Sequence, residues 1–267
     1  MTAQTRTEIA ALLARHDLSP SHRLGQHFLA DANITRKIVD LAQVERGDRI
    51  LEIGAGTGTL TVALAAAGAS VLAYEIDTGL RPLLEEVTSG LDVELRTVDV
   101  MTVDFSNELA GRPWKMVANL PYNVGTPMLL DALRRAPQIE RFVIMVQREV
   151  AERLVADPGS REYGIPSVVA GIHARRKLSF RVPPQVFYPA PSVESAVVVL
   201  DRVPAPANAE RALEIAAAGF QQRRKMLRRS LAAIFDDPVS ALQHAGIDPT
   251  ARAEDLAPAD FVRLAAT

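Results

Sequence analysis

The chain of 267 residues contains no cysteine, which excludes disulfide bridges, thiolate zinc sites and a cysteine nucleophile. It also lacks any apolar run of the roughly 20 residues that a membrane helix needs. Gly68 interrupts the most apolar stretch, residues 62–74. The opening residues are polar and show no signal-peptide pattern. The sequence therefore predicts a cytoplasmic protein.

Two windows of the chain have no acidic residue, although Lys+Arg (30) and Asp+Glu (32) almost balance over the whole chain, at a net charge of −2. Residues 163–193 carry four cations and residues 215–235 carry five, so the remainder carries −11. Arginine binds phosphates bidentately and stacks on bases, and this favours RNA binding over an ordinary solvated face. The predicted RNA-contacting residues are Arg175, Arg176, Lys177, Arg181, Arg223, Arg224, Lys225, Arg228 and Arg229.

Strand and helix patterns alternate from residue 48 onward, which predicts an α/β fold with a doubly wound, Rossmann-like parallel sheet. Helical patterns follow Gly58, Asp77, Val124 and Arg148. Pro204 and the residues after it form a linker. The sequence predicts a catalytic domain over 1–203, with an N-terminal helical extension over 1–45, and a small all-helical domain over 204–267. The predicted strands are 49–53, 70–75, 93–99, 115–119, 142–147 and 195–200.

Three glycines, Gly54, Gly56 and Gly58, lie between the first predicted strand of the sheet and the helix that follows. A dinucleotide-binding G-x-G-x-x-G loop would need its third glycine at Thr59. The spacing instead resembles the E-x-G-x-G-x-G loop of class I S-adenosylmethionine methyltransferases. A flexible glycine turn is the alternative.

Two acidic residues lie at the ends of the next two strands. Glu75 follows Gly54 by 21 residues, where a carboxylate can bind both hydroxyls of a ribose. Asp99 is placed to accept a hydrogen bond from the amine of an adenine, although a strand-end aspartate is often only a helix cap. Ligands of open α/β sheets bind outside the carboxyl ends of the strands. The pattern predicts a cofactor site at this edge.

The tetrapeptide Asn119-Leu120-Pro121-Tyr122 follows the fourth predicted strand of the sheet. An adenine amino group is a poor nucleophile, so a catalyst must accept its hydrogen bonds and hold it in line with the methyl donor. The Asn119 amide oxygen and the Leu120 carbonyl can accept, Pro121 stiffens the turn, and Tyr122 offers a ring for a flipped base. The alternative is a structural Asn-x-Pro turn.

Almost the whole chain resembles the KsgA/Dim/Erm family of rRNA adenine-N6 methyltransferases. The residues that carry the resemblance are the segment 23–29 (RLGQHFL), the glycine loop, Glu75, Asp99, the tetrapeptide, the segment 187–195 (FYPAPSVES) and the C-terminal pattern 220–231 (FQQRRKMLRRSL). The C-terminal pattern resembles the small-subunit branch of the family more than the large-subunit Erm branch. His27 stands where the family more often has Asn, and Ser192 and Val199 replace basic residues common around the 187–195 loop.

The resemblance implies dimethylation, with S-adenosyl-L-methionine, of two adjacent adenosines in the 3′-terminal helix loop of 16S rRNA. The implied substrate is the immature 30S subunit, and a monomer suffices. Residues 23–29 would fold over the methionine end of the cofactor, and Phe187 would pack against the target base. The implied cofactor-binding set is Gln26, His27, Leu29, Gly54, Gly56, Gly58, Glu75, Ile76, Asp99, Val100 and Asn119.

Four alternative functions can be compared with the sequence. An Erm-type enzyme would modify 23S rRNA, and a non-catalytic ribosome assembly factor would be expected to have lost part of the glycine loop or the tetrapeptide. A small-molecule or protein methyltransferase would not need the basic windows, and an NAD dehydrogenase does not fit the loop spacing. His16, His22, His173 and His244 show no ligand spacing, so no metal site is predicted.

Overall fold

A computed structural model of the chain describes residues 4–109, 111, 113–122 and 125–267. Its centre is a seven-stranded sheet in the order β4-β3-β2-β5-β6-β9-β7, and β1 and β8 form a separate two-stranded sheet. Strands β2 to β6 pair in parallel, whereas β9 runs antiparallel to β6. The strands are β1 Phe28–Leu29, β2 Arg49–Ile53, β3 Ser70–Glu75, β4 Val93–Thr97, β5 Trp114–Asn119, β6 Ile139–Gln147, β7 Ala174–Val182, β8 Phe187–Tyr188 and β9 Ser195–Arg202.

The helices fall between the strands in the first part of the chain and follow one another at its end. None of the helices in the described residues is long and apolar enough to cross a membrane. The helices are α1 Arg6–Arg15, α2 Ala32–Ala42, α3 Thr59–Ala66, α4 Arg81–Val87, α5 Phe105–Glu108, α6 Gly125–Arg135, α7 Arg148–Val155, α8 Ile165–His173, α9 Ala209–Gln221, α10 Leu227–Ser230, α11 Pro238–His244 and α12 Pro258–Leu264.

Local chemistry explains where the first two helices begin. Thr5 forms a capping box with Glu8, in which the Thr5 side chain accepts from the Glu8 N–H and Glu8 accepts from the Thr5 N–H. Asp31 caps α2 by accepting from the N–H groups of Asn33 and Ile34. Each cap satisfies backbone donors that have no partner inside the helix.

The central strands are mostly apolar because both faces of the sheet are covered. Ile50, Leu51, Val117 and Val143 are fully buried. Helix α1 adds Ile9, Leu12 and Leu13 to the same core, and β1 and β8 add Leu29 and Phe187. This packing fixes the loops that follow the carboxyl ends of β2, β3 and β5, which form the site described below.

Contacts divide the chain into two compact units: Met1–Ala151 with Lys177–Asp201, and Glu152–Arg176 with Arg202–Thr267. The sequence predicts a single domain over residues 1–203. The structure differs because α8 packs on α9 and α12, which brings residues 152–176 into the helical unit. Tyr163 shows the same grouping, since its ring lies 5.9 Å from that of Phe220 and its hydroxyl donates to the Leu256 carbonyl.

Several strands also differ from the sequence prediction: β5 starts one residue early, β9 ends two residues late, and the two-residue strands β1 and β8 were not predicted. Strand β4 ends at Thr97, two residues early, and β6 starts at Ile139 rather than at 142. Strand β7 was missed altogether, because Arg175, Arg176 and Lys177 at its start made the segment resemble a charged surface. The sheet nevertheless accepts it next to β9, since an outer strand keeps polar residues on its solvent side.

Candidate active site

A pocket opens at the carboxyl ends of the parallel strands, where the sequence placed the cofactor edge. The loops after β2, β3 and β5 and the segment 24–29 line it. Its described lining includes the carboxyl groups of Glu52, Glu75 and Asp99 but no lysine or arginine. The pocket therefore favours a cationic or neutral ligand over a phosphate-bearing one.

The glycine loop has the left-handed backbone that its sequence predicts. Gly54, Gly56 and Gly58 have φ values of 76°, 57° and 81°, a region that residues with a Cβ rarely adopt. A Cβ on Gly54 would lie 3.2 Å from the Pro121 ring, and one on Gly56 would lie 2.9 Å from the Phe28 ring. These two glycines therefore make room for the protein's own side chains as well as for a ligand.

Four N–H groups of this loop are already used by the protein. Gly54 and Ala55 donate to the Tyr74 carbonyl, and Gly58 donates to the Ala55 carbonyl. Gly56 donates to Glu75 Oε2 at 2.8 Å. A pyrophosphate needs free N–H donors at this point, and these four groups are not free to bind one.

Glu75 is held rigidly at the end of β3. Its two carboxylate oxygens accept from the N–H groups of Gly56 and Asp77, at 2.8 and 2.9 Å. Burial raises the pKa of Glu75, and these two backbone bonds oppose the shift. A carboxylate offers about four lone-pair sites, so two remain for the hydroxyls of a ribose.

Glu52 is a buried carboxyl group. It is the first residue of the E-x-G-x-G-x-G pattern, and the sequence indicated no separate role for it. Its side chain is 1% exposed and lines the pocket. Oε2 has no hydrogen-bond partner among the described residues. Burial raises the pKa of Glu52 to about 8, and the nearby Glu75 carboxylate adds to the shift. The group is therefore protonated near neutral pH.

The third predicted acidic residue, Asp99, caps a short helical turn over Val100–Thr102. Asp99 Oδ1 accepts from the Met101 N–H at 2.9 Å. Its other carboxylate oxygen accepts no hydrogen bond from the described residues. Asp99 and Val100 line the pocket together with the half-exposed Ile76. This corner combines apolar surface with one carboxylate, as an adenine ring requires.

Asn119 ends β5, and its amide is oriented by the segment before β1. Nδ2 donates to the His27 carbonyl at 3.1 Å. The amide oxygen is thereby turned away from His27, and no described residue donates to it. Leu120 is buried, and its N–H donates to the Met145 carbonyl. Asn119 and Leu120 thus present acceptors at fixed positions.

The ring of Tyr122 is fixed from two sides. Its hydroxyl lies 2.7 Å from Ser195 Oγ, and its ring centroid lies 5.5 Å from that of His27. His27 in turn hydrogen-bonds the Pro189 carbonyl through Nδ1 at 2.8 Å. The unusual histidine therefore connects the tetrapeptide to the 187–195 loop. Ser195 is a supporting residue that the sequence analysis did not identify.

Gln26 and Leu29, from the same segment, support the pocket differently. Gln26 donates to Asp77 Oδ2 and accepts from the Ser21 N–H, and it lines the pocket. Leu29 also lines the pocket, but it is 4% exposed and belongs to the core. Of these two residues, Gln26 is the one that offers a polar side chain to a ligand in the pocket.

Phe187 does not occupy the position that the resemblance implied. Its side chain is 0% exposed, and it pairs with Leu29 between β8 and β1. It does not line the pocket. The predicted contact with a target base is therefore replaced here by core packing, because the short β1–β8 sheet turns the ring inward. Tyr122 is the aromatic side chain of the predicted catalytic set that lines the pocket.

Arg176 is likewise a structural residue in this fold rather than a free surface cation. Its Nη1 donates to the carbonyls of Leu154, Ala156 and Ser167. The guanidinium thus satisfies carbonyls at the end of α7, where helices leave acceptors unpaired. Burial lowers the pKa of Arg176. The other two cations at the start of this window, Arg175 and Lys177, are exposed.

In the second basic window, Arg223, Arg224 and Lys225 lie in the turn after α9, while Arg228 and Arg229 lie in α10. Arg223 pairs with Glu254 at 2.6 Å and donates to the Arg161 carbonyl. Arg224, Lys225 and Arg229 are exposed and form no salt bridge with the described residues. The window is therefore a turn and one short helix, with three cations available to a partner.

Gln4 is a further polar residue that the sequence analysis missed. Its Nε2 donates to the Thr57 carbonyl at 2.8 Å, and its Oε1 accepts from Thr59 Oγ1 at 3.0 Å. The only local signal was its position directly before the capping box of α1.

Within the described part of the chain, no group of three or more acidic or histidine side chains could hold a metal ion.

Comparison with known proteins shows which family the chain belongs to. The family model described as ribosomal RNA adenine dimethylase matches residues 19–267. A protein of Leifsonia xyli subsp. xyli named ribosomal RNA small subunit methyltransferase A is 44% identical over 271 residues, covering 97% of this chain and 96% of that one. A protein of the same name from Phenylobacterium zucineum is 44% identical over 269 residues, covering 99% and 94%.

Solved structures agree on the fold. The crystal structure of 23S rRNA methyltransferase ErmE is similar, with a TM-score of 0.71 at 28% identity, over 90% of this chain and 98% of that one. A dimethyladenosine transferase from Plasmodium falciparum has a TM-score of 0.77 at 23% identity, over 89% and 96%. The predicted α/β methyltransferase fold is confirmed.

Proposed function

Because the chain belongs to the ribosomal RNA adenine dimethylase family, we propose that it dimethylates N6 of two adjacent adenosines in the 3′-terminal helix loop of small-subunit rRNA. The relatives named for the small subunit match at 44% identity, against 28% for the 23S enzyme. This difference supports the small subunit as substrate. We place the activity on an immature 30S particle, with one copy of the chain sufficient.

The proposed methyl donor is S-adenosyl-L-methionine, and the pocket suits it. The lining is anionic, four of the loop N–H groups are already paired, and Glu75 keeps lone pairs for two ribose hydroxyls. Asp99, Ile76 and Val100 would hold the adenine, and Gln26 would lie near the methionine end. When bound, S-adenosyl-L-methionine supplies a methyl group activated by its positively charged sulfur.

One observation carries the catalytic proposal: Asn119 Nδ2 is held by the His27 carbonyl. With Nδ2 held in this way, the amide oxygen would face the N6 amine of the bound adenosine. The Asn119 oxygen and the Leu120 carbonyl would each accept one hydrogen of that amine, which localises the nitrogen lone pair toward the methyl group. Tyr122 would stack on the flipped base. No strong base is needed, because the proton can leave after the methyl group has transferred.

The exposed cations would contact the rRNA. Arg224, Lys225 and Arg229 are free of salt bridges with the described residues, and Arg228 lies beside them. The affinity falls as salt rises, and each phosphate contact makes the slope of log affinity against log salt more negative by roughly 0.7–0.9. A variant with these four residues changed to Gln should bind 30S subunits with a shallower slope. A control with the same charge change, at Arg15, Arg36, Arg81 and Arg135, should keep the wild-type slope.

The decisive experiment incubates the protein with labelled S-adenosyl-L-methionine and either unmethylated small subunits or large subunits, and then maps the modified adenosines. We expect label at two adjacent adenosines near the 3′ end of small-subunit rRNA. Label confined to large-subunit rRNA would refute the small subunit as the substrate. The absence of label with either subunit would refute the proposed rRNA methyltransferase activity.

Asn119→Ala tests the catalytic step in the same assay. It should abolish transfer, while calorimetry still detects cofactor binding. Asn107→Ala is the matched control, because Asn107 also donates through Nδ2, to Asp104, but lies outside this pocket. Transfer by Asn119→Ala within a few-fold of the control would remove Asn119 from the proposed mechanism.

A further inference from the structure

The glycine loop is anchored unevenly. Its first half is tied to β3, since Gly54 and Ala55 donate to the Tyr74 carbonyl and Gly56 donates to Glu75. Its second half, around Thr57 and Thr59, begins α3 at Gly58, which has no side chain to cap the helix. Gly58 has a left-handed backbone, with φ 81°, and glycine loses more conformational entropy on ordering than other residues, so this half gains from an external anchor.

Gln4 supplies such an anchor from a distant part of the chain. One amide group closes two hydrogen bonds at once, donating to the Thr57 carbonyl at 2.8 Å and accepting from Thr59 Oγ1 at 3.0 Å. Thr57 and Thr59 are nearly fully buried, and both line the pocket. The pair of bonds therefore joins residue 4 to the wall of the cofactor site across 53 and 55 residues.

Helix α1 fixes the position of Gln4. The capping box of Thr5 and Glu8 starts the helix directly after it, and Ile9, Leu12 and Leu13 bury the helix in the core. At the other end of α1, Arg15 and His16 both contact Glu86 of α4 at 2.7 Å. Gln4 is thus attached to a rigid element.

We propose that Gln4 is a positioning residue for the cofactor: its amide holds the Thr57–Thr59 half of the glycine loop in the conformation that binds S-adenosyl-L-methionine. The proposal rests on the cofactor assigned under the proposed function. It makes the start of α1 part of the binding machinery, although residue 4 does not line the pocket.

The test is calorimetric binding of S-adenosyl-L-methionine to the full chain, with steady-state methyl transfer and thermal unfolding alongside. Gln4→Ala should raise the Kd and the KM for the cofactor about three- to tenfold, the effect expected from losing one or two neutral hydrogen bonds. The kcat at saturating cofactor should stay unchanged. Gln4→Glu should weaken binding at least as much, because a carboxylate cannot donate to the Thr57 carbonyl.

Gln138→Ala is the matched control, since Gln138 donates through Nε2 to the Ser106 carbonyl at 3.0 Å, away from the pocket. It should leave the Kd unchanged. Thr59→Ala should share part of the effect of Gln4→Ala, so the double variant should lose less affinity than the two single losses combined. Additive losses would overturn the hydrogen-bonded link.

A lower unfolding temperature for Gln4→Ala with an unchanged Kd would overturn the proposal and leave Gln4 a purely structural residue. Failure of the wild-type chain to bind the cofactor would instead refute the proposed function. The two failures are therefore distinguishable in one set of titrations.

Discussion

Gly54 allows the contact between the cofactor loop and the catalytic tetrapeptide to be tested with a single methyl group. A Cβ built at this position would lie 3.2 Å from both Cδ and Cγ of Pro121 and 3.6 Å from the Asn119 carbonyl oxygen. Such a contact is closer than ordinary van der Waals distance, so Pro121 must move by a few tenths of an ångström. The movement would pass directly to Asn119 and Tyr122, its close neighbours in the chain.

Two separate costs follow from Gly54→Ala. The left-handed backbone, at φ 76°, costs an alanine roughly 1–2 kcal/mol of the free energy of unfolding. That is a modest share of the roughly 5–15 kcal/mol typical of a domain. The displaced tetrapeptide adds a catalytic cost. A misplacement of about 1 Å can reduce a rate about a hundredfold, so we expect kcat to fall about tenfold.

Gly90→Ala separates the two costs. Gly90 has nearly the same φ, 74°, but no atom lies within 4 Å of a Cβ built there. Urea unfolding should show a similar loss of stability for both variants. Single-turnover methyl transfer at saturating cofactor should fall only for Gly54→Ala. Equal rates for the two variants would refute the reasoning that links Gly54 to the tetrapeptide through Pro121.

Two further predictions concern buried side chains. Because the folded state keeps the Glu52 proton up to about pH 8 while the unfolded state loses it near its ordinary value of 4.5, Glu52 should make stability fall as pH rises from about 4.5 to 8. The stability difference between Glu52→Gln and wild type, from urea unfolding, should grow over that range, and a constant difference would contradict the shift. Phe187→Ala should cost roughly 3–5 kcal/mol of unfolding free energy, whereas Phe187→Leu should keep most of the stability and the transfer rate. A Phe187→Leu variant that is stable but inactive would restore the predicted base contact.

The sequence predicted the parts of the site that depend on neighbouring residues. The left-handed glycines, the end of β3 at Glu75 and the position of Asn119 at the end of β5 all follow from local patterns of apolar residues, glycine and proline. The position of the pocket follows from the same patterns, because parallel strands joined by helices place their carboxyl ends at one edge.

The parts that could not be predicted depend on contacts between distant residues. Nothing near residue 4 indicates that its amide meets Thr57, 53 residues away. Phe187 has the same neighbours in sequence whether its ring faces the core or the pocket, and only its pairing with Leu29 decides the matter. Arg176 belongs to a basic run, and its burial depends on carbonyls contributed by α7.

The internally paired glycine loop has a consequence for successive reactions. Dimethylation of two adenosines needs four methyl groups, so spent cofactor must leave and fresh cofactor must enter repeatedly. The N–H groups of Gly54, Ala55, Gly56 and Gly58 bond to the protein itself, so exchange need not break any of these bonds. The loop is therefore preorganised: its backbone can keep one conformation while the cofactor leaves and is replaced, and each methylation can start from that conformation.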